Sequence, residues 1–132
     1  MTAAAPPRRD GTSAPAIGAA VERIAREIAA VHADAVDRDA RFPAEAFDAL
    51  RKAGALGALV PVELGGPGAS LEEVVAHCTT LGRVCASTAM IYAMHQIEVA
   101  VLVRHAVDQP VLRAYLRDLV EQQWLIASAT SE

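Results

Sequence analysis

Apolar residues recur at helical spacing along most of this chain. In the first such stretch they stand at Ile17, Val21, Ile24, Ile28 and Val31, with charged residues on the opposite side. Positions three and four apart share one face of a helix, so the spacing predicts an amphipathic helix from Ile17 to about Asp37. Ion pairs on its surface contribute well under about 1 kcal/mol to the stability of the helix. The apolar stripe is therefore the main reason for the helix.

Proline, glycine and hydroxyl residues mark the next two helices. Pro43 opens a second helix that runs to about Ala53, since a proline in the first turn gives up an amide that lacks a partner there. Gly54 is placed as the left-handed cap at its end. Ser70 and Glu73 have the spacing of a capping box, which predicts the start of a third helix.

The third helix carries one apolar face, formed by Leu71, Val74, Val75, Cys78, Leu81 and Cys85. Ser87 is placed to cap a fourth helix, from Thr88 to about His105, and Pro110 opens a fifth. The fourth has apolar residues on almost every side, namely Met90, Ile91, Met94, Ile97, Val99, Val101, Leu102 and Val103. Such a helix is expected to be the most buried of the five.

The glycine-rich stretch between the second and third helices, Gly65 to Gly68, predicts a turn. Its spacing is not GxGxxG, and no strand with a following βαβ unit can be drawn around it, so a dinucleotide fingerprint is not indicated. After Gln123 the helical stripe ends, and the residues from Trp124 to Thr130 have the pattern of a short strand. A lone strand needs a ladder partner, which indicates a further domain.

The predicted fold is therefore all-α: an orthogonal or up-down bundle of about five helices with a short C-terminal β-strand. The predicted organisation is a disordered tail at 1–15, a helical domain at 16–123 and the first strand of another domain at 124–132. A hydrophobic content of 53% supports a real core. The net charge of -4 and the 4% aromatic content give no footprint for nucleic acid or an anionic membrane.

The two cysteines, Cys78 and Cys85, stand two helical turns apart, which is too far for a mutual disulfide. We interpret them as reduced thiols used as small hydrophobes, and therefore expect a cytoplasmic protein. The N-terminal stretch lacks the apolar segment of a signal peptide, and no uninterrupted apolar run has transmembrane length, so no membrane insertion is expected.

Few residues carry recognisable chemistry by themselves. His32, Asp34, Asp37 and Asp39 form an acidic cluster that we interpret as a solvated face, with no metal expected. No nucleophile stands near a base, and no GxSxG elbow exists. His95 and the Met90, Met94 pair are open to two interpretations. They are either residues of the core or part of the wall of a greasy ligand pocket.

Several short sequence words occur together in one order. They are Arg41 to Pro43 (RFP), Leu50 to Gly66 (LRKAGALGALVPVELGG), Leu81 to Arg83 (LGR), Tyr115 with Leu116, and Ala127 to Glu132 (ASATSE). In this order and spacing the chain, from about Val21 to Glu132, resembles the acyl-CoA dehydrogenase family of flavoproteins. The family's usual words include "VPEEYGG" and "A.TEP". Ser131 stands where the family usually has Thr, and Gln123-Trp124 replaces a glycine-containing turn.

The resemblance implies an enzyme of three parts: a helical N-terminal domain, a middle β-domain and a C-terminal helical bundle, assembled as a homotetramer or homodimer. This chain would cover the first part and the start of the second. It implies FAD as cofactor and an acyl-CoA thioester as substrate, with α,β-desaturation and hydride transfer to the flavin. The electron-transfer partner, a flavoprotein or oxygen, stays open. The glutamate base of the family lies downstream, so no catalytic residue is expected here.

By residue matching, the resemblance implies cofactor contacts at Ser128, Thr130 and Ser131. It also implies a substrate pocket lined by Met90, Ile91, Met94 and His95. A same-fold flavin-dependent monooxygenase or nitroalkane oxidase-like enzyme is the first alternative. A free-standing, non-catalytic helical binding module is the second. The 132-residue chain alone is expected to be inactive.

Overall fold

The structure, a computed structural model, describes residues 13–129. Its α-helices are α1 (Ala14–Ile24), α2 (Ala30–Arg38), α3 (Ala44–Ala53), α4 (Leu71–Gly82), α5 (Ala86–His105) and α6 (Pro110–Gln122). A π-helical turn, Ala25–Ala29, joins α1 to α2, so the two form one continuous rod. Short 3-10 turns follow at Ala55–Gly57 and Val62–Leu64. Five helical rods result, and the predicted all-α fold is confirmed.

The first rod begins earlier than its apolar stripe indicates. The Ser13 side chain accepts a hydrogen bond from the Ala16 amide, and Pro15 occupies the first turn, where its missing N–H costs nothing. The last residues of the predicted tail at 1–15 therefore belong to α1. Residues 1–12 lie outside the described part of the chain.

The predicted cap at the end of α3 and the predicted capping box of α4 are confirmed, whereas Pro43 precedes α3 as its N-cap residue and does not stand in its first turn. Gly54 ends α3 in the left-handed region, at φ 78° and ψ 15°. At the start of α4 the Ser70 hydroxyl accepts from the Glu73 amide at 3.1 Å, and the Glu73 carboxylate accepts from the Ser70 amide at 2.7 Å. This reciprocal pair satisfies two of the amides that a helix N-terminus leaves without partners.

The turn between α3 and α4 is built on a close approach of two backbone segments. A Cβ placed on Gly66 would lie 2.0 Å from the Val60 carbonyl oxygen, so only glycine fits there. Gly65 and Gly68 take positive φ of 89° and 68°. The turn predicted from these glycines is present, and it folds the preceding residues back into the core.

The predicted cap of the fourth helix is wrong. Helix α5 begins at Ala86, with Cys85 as its N-terminal flanking residue and Ser87 exposed in the first turn. The cause is the short connection after α4, in which the Cys85 amide still bonds to the Leu81 carbonyl at 2.8 Å. The buried Thr88 hydroxyl donates to the Cys85 sulfur at 3.2 Å and ties the new helix to this turn.

The expectation that α5 is the most buried helix is also wrong. Its outer face is exposed, by 63% at Met90, 48% at Met94, 53% at Ile97 and 49% at Val101. The reason is that α4, α6 and the Ala55–Gly57 turn cover only one side of the helix. We name the exposed residues Met90, Met94, Ile97 and Val101 the outer stripe of α5.

Helix α5 is also long and apolar enough, by length and composition, to cross a membrane. That property alone is weak, because core helices of soluble domains share it. The covered side of α5 bears His95 and Gln96, which are hydrogen-bonded to another part of this domain. We therefore treat α5 as a helix of the bundle.

Two apolar clusters form most of the core. The larger one joins α1, α3, α4 and α5 and includes Ile17, Phe47, Leu50, Leu56, Leu81 and Tyr92. The second joins α5 and α6 to the turn region through Val60, Leu64, Val99, Leu116 and Leu119. The segment from residue 55 to 64 therefore lies between the two clusters and contributes to both.

The predicted strand at the C-terminal end is not formed within the described residues. Residues 124–129 have no regular secondary structure, because no neighbouring strand is present among residues 13–129 to pair with them. The start of this segment is nonetheless packed. The Trp124 ring lies 5.3 Å from the Tyr115 ring, and Ile126 is half-buried against the second cluster. We name residues 124–129 the C-terminal segment.

Candidate functional site

A buried 3-10 turn, Ala55–Gly57, receives polar side chains from two helix regions. Ala55, Leu56 and Gly57 are all buried, and their backbone groups cannot all bond within so short a turn. Four side chains converge on this turn: Tyr92, His95 and Gln96 from α5, and Gln123 from the end of α6. We name these four side chains the polar hub.

The α5 members of the polar hub satisfy two carbonyl oxygens of the turn. Tyr92 donates its hydroxyl to the Ala55 carbonyl at 3.2 Å, and Gln96 Nε2 donates to the same oxygen at 3.0 Å. The Leu56 carbonyl accepts from His95 Nε2 at 2.7 Å and from Gln96 Nε2 at 3.4 Å. Paired in this way, the polar groups of the turn are tolerated in the core.

Gln123 completes the polar hub from the other side. Its Oε1 accepts from the Leu56 amide at 3.0 Å, and its Nε2 donates to the Val120 carbonyl at 2.8 Å. Gln123 has a positive φ of 52°, the left-handed conformation that glycine takes without strain. A glutamine therefore stands at a glycine-like position because its side chain bonds both to the turn and to the end of α6.

His95 joins the turn to the C-terminal segment. Its second ring nitrogen, Nδ1, accepts from the Ile126 amide at 3.1 Å. The ring therefore carries its proton on Nε2, which faces the Leu56 carbonyl. Burial lowers the pKa of His95, outweighing the two backbone hydrogen bonds that act in the other direction, so the ring is neutral at pH 7.

A second histidine supports Tyr92 from α4. His77 Nδ1 lies 3.2 Å from the Tyr92 hydroxyl, and both side chains are buried. Because Tyr92 donates its one proton to the Ala55 carbonyl, His77 is the donor in this pair. Burial raises the pKa of Tyr92 and lowers that of His77, so both stay uncharged near neutrality.

One atom of the polar hub has no partner among the described residues. Gln96 Oε1 is buried and makes no hydrogen bond, although Gln96 Nε2 is fully used. An unpaired buried acceptor costs on the order of 1–3 kcal/mol. The turn therefore gains two donated bonds from Gln96 at the expense of one unsatisfied oxygen.

The four predicted pocket residues do not share one surface. Met90 and Met94 lie on the outer stripe of α5, whereas His95 is 1% exposed on the covered side and has both ring nitrogens bonded to backbone. Ile91 is half-buried against the larger core cluster. The two methionines are therefore accessible from outside this domain, and the other two contribute to its interior.

Of the three predicted cofactor contacts, only Ser128 lies among the described residues. The Ser128 side chain is exposed, two residues beyond the amide that His95 holds. Its neighbours Ala127 and Ala129 are also exposed. Thr130 and Ser131 lie outside the described residues.

In the acidic cluster on the first rod, His32 contacts helix α3 and Asp39 contacts its sequence neighbour. His32 Nδ1 lies 3.5 Å from a Glu45 carboxylate oxygen, and Asp39 accepts from Arg38 at 3.2 Å. Within residues 13–129 no three His, Cys, Asp or Glu side chains come together as a metal site would need. Both cysteines in this range are free thiols.

Sequence reasoning missed Tyr92, Gln96 and Gln123 as parts of one site. A signal for the first two was present. Polar side chains recur at positions 92, 95 and 96, among mainly apolar neighbours in the middle of the helix, and such residues need partners when they are buried. The signal for Gln123 was weaker: it stands in a pair of residues that replaces the family's usual glycine-containing turn.

Residues 13–123 match the family described as acyl-CoA dehydrogenase, N-terminal domain. Because this match covers most of the chain, the chain belongs to that family, and the predicted resemblance is confirmed.

Three curated relatives with different names are similar to part of this chain. The first is L-evernosamine nitrososynthase of Micromonospora sp., 42% identical over 79 residues, which are 58% of this chain and 19% of that protein. The second is acryloyl-CoA reductase (NADH) of Anaerotignum propionicum, 32% identical over 81 residues, 58% of this chain and 21% of the relative. The third is 3-sulfinopropanoyl-CoA desulfinase of Paraburkholderia xenovorans, 38% identical over 69 residues, 52% and 18% of the two chains.

The matched region spans about a fifth of the length of these relatives. No solved structure matches the chain.

Proposed function

We propose that this chain is the N-terminal helical part of an FAD-dependent oxidoreductase that desaturates an acyl-CoA thioester between its α and β carbons. The observation that carries the proposal is the family match over residues 13–123. Two relatives support the substrate class, since their names specify CoA thioesters, in one case an α,β-unsaturated one.

The C-terminal segment is suited to contact a flat ring. Ser128 offers an exposed hydroxyl, and the small residues Ala127 and Ala129 leave the backbone beside it accessible. A hydroxyl both donates and accepts, which matches the mixed carbonyl and nitrogen edge of a flavin. We therefore propose Ser128, together with Thr130 and Ser131, as the residues of this chain that would contact FAD. When bound, FAD would supply the acceptor for the hydride that leaves the β-carbon.

The base for such a reaction is not offered by the described part of the chain. Removing a weakly acidic α-proton needs a carboxylate in a dry pocket, where its pKa is raised toward neutrality. No Asp or Glu among residues 13–129 is buried. The most strongly shifted carboxyl, Glu45, has its pKa lowered to about 2, chiefly by its side-chain hydrogen bonds with Arg41. We propose that the base is a glutamate outside this chain.

The outer stripe of α5 is proposed to lie beside the acyl chain. Met90 and Met94 are exposed on one face, and flexible methionines adapt to apolar ligands of varied shape. Ile91 and His95 are packed within the domain and would act from behind that face.

The proposal is tested on the protein expressed from its complete open reading frame. We expect it to purify with FAD, and we expect an acyl-CoA thioester to bleach the flavin absorbance without oxygen and to yield the corresponding enoyl-CoA. A Ser128→Ala variant should bind FAD more weakly. The matched control is Ser87→Ala, which changes another exposed serine, distant from Ser128 in the sequence, and should bind FAD like the wild type. Absence of FAD, or equal binding by both variants, would count against the proposal.

A second candidate is an oxygen-using flavoenzyme of the same family. The observation in its favour is the 42% identity to a nitrososynthase, whose name denotes formation of a nitroso group. Because a nitroso group carries an oxygen atom on nitrogen, an enzyme of this kind would need an amine substrate and an oxygen donor. Flavin that no acyl-CoA bleaches, combined with oxygen consumption in the presence of an amino sugar, would favour this candidate over the first.

A further inference from the structure

His95 connects two backbone groups that are far apart in the sequence. Its Nε2 donates to the Leu56 carbonyl at 2.7 Å, and its Nδ1 accepts from the Ile126 amide at 3.1 Å. The ring is 1% exposed, so solvent does not compete for either bond. A single side chain thus fixes the C-terminal segment against the turn that the rest of the polar hub holds.

The pair of bonds demands one chemical state of the ring. A donor on Nε2 and an acceptor on Nδ1 are present together only in the neutral Nε2–H tautomer. A protonated imidazole would turn a second N–H toward the Ile126 amide, where two donors would face each other. The geometry therefore selects a neutral histidine as a bridge rather than as a proton donor.

The bridge lies close to the proposed cofactor contacts. Gln123 holds the chain at the end of α6, and His95 holds it again at Ile126. Since an extended residue spans at most about 3.6 Å, Ser128 can lie no more than about 7 Å from the fixed Ile126 backbone. The position of Ile126 therefore limits where Ser128 can lie.

We propose that His95 is a positioning residue, which sets the place of Ala127 and Ser128 for flavin by holding the Ile126 amide. The identity of the ligand rests on the proposed function, whereas the bridge itself does not. His95 touches neither flavin nor substrate in this assignment. It acts through the backbone of the C-terminal segment.

Two amide variants separate the two halves of the bridge. In His95→Asn the amide oxygen stands near the place of Nδ1 and can still accept from Ile126, whereas the donor to Leu56 is lost. In His95→Gln the amide nitrogen can reach the Leu56 carbonyl, whereas the acceptor for Ile126 is lost. Each variant thus gives up one hydrogen bond, so both should lose similar amounts of global stability.

Two quantities are measured on the protein expressed from its complete open reading frame. They are the rate of hydrogen exchange at the Ile126 amide and the affinity for FAD. We expect His95→Gln to speed Ile126 exchange about fivefold or more and to weaken FAD binding by a similar factor, since one lost bond corresponds to about that ratio. His95→Asn should stay within about twofold of the wild type in both, as expected when the remaining bond is kept. Equal effects of the two variants on Ile126 exchange would overturn the inference.

One measurement on the wild type needs no variant to fold. Nitrogen chemical shifts of the His95 ring report its tautomer, and the Nε2–H form is expected. The Nδ1–H form would overturn the inference. If neither the wild type nor His95→Asn binds FAD, the proposed function fails, and Ile126 exchange with the tautomer still decides the role of His95.

Discussion

Gln123 offers the most quantitative test of the polar hub, because two opposing effects act at one residue. Replacing it with glycine removes the acceptor of the buried Leu56 amide and the donor to the Val120 carbonyl. The same change relieves the left-handed conformation at φ 52°. Alanine removes the same two bonds but keeps the strained backbone, so the pair Gln123→Gly and Gln123→Ala separates the two effects.

The magnitudes follow from the partners. Leaving the Leu56 amide unsatisfied in the core costs about 1–3 kcal/mol, and the bond to Val120 contributes about 1 kcal/mol more. Glycine regains about 1 kcal/mol by removing the left-handed penalty. We therefore expect Gln123→Ala to lower the free energy of unfolding by about 2–4 kcal/mol, and Gln123→Gly by about 1–3 kcal/mol.

Urea unfolding followed by circular dichroism measures both values, with Gln122→Ala as the matched control. Gln122 is exposed on the last turn of α6, so its change should stay within about 0.5 kcal/mol. A Gln123→Gly variant as stable as the wild type would refute the argument that the side chain of Gln123 holds the turn. Equal losses for the glycine and alanine variants would refute the strain at this residue.

Three further predictions address other parts of the domain. Gly66→Ala should destabilise by about 2 kcal/mol or more in urea unfolding, because its Cβ would stand 2.0 Å from a carbonyl oxygen, while Gly82→Ala, with 3.5 Å of room, should be neutral or stabilising. Burial lowers the folded-state pKa of His95, so the unfolded chain binds the extra proton first, and stability should fall as pH drops below about 6.5. The loss of stability at low pH should be smaller in His95→Asn, and an equal loss would contradict the attribution of this pH dependence to His95. Arg41→Gln should raise the pKa of Glu45 from about 2 toward its ordinary value, and an unchanged carboxyl titration by NMR would contradict the pairing.

The helices were predictable because their signals are local. Apolar residues at helical spacing, a proline in the first turn and the Ser70, Glu73 pair all act within a few residues of one another. The left-handed cap at Gly54 follows from the same kind of short-range reasoning. The prediction that Ser87 caps α5 is wrong because the start of this helix depends on the turn that precedes it and not on the serine itself.

The exposed outer stripe of α5 could not be read from its composition. A helix with apolar residues on every side is consistent with full burial, and only the placement of its neighbours shows that Met90 and Ile97 are uncovered. The predicted strand from Trp124 failed in a similar way. Its residue types favour a strand, but a strand also needs a partner, and none lies within residues 13–129.

The candidate site depended on contacts between distant residues. Tyr92, His95 and Gln96 meet a turn that lies 37 to 41 residues earlier in the chain, and Gln123 meets it across 67 residues. Local patterns cannot predict such pairings, so the sequence leaves both a core role and a pocket role open for His95. The place of Ser128 beside the His95 bridge also emerged only from the fold.

The chain belongs to the acyl-CoA dehydrogenase family, and we propose acyl-CoA desaturation with FAD as the reaction of the complete protein. The most direct test of this proposal follows flavin absorbance without oxygen, while acyl-CoA thioesters of increasing length are added to the protein made from its complete reading frame. We expect FAD in the purified protein, loss of its absorbance with at least one thioester, and a matching amount of enoyl-CoA. Protein without FAD, or flavin that no thioester bleaches, would contradict the proposal.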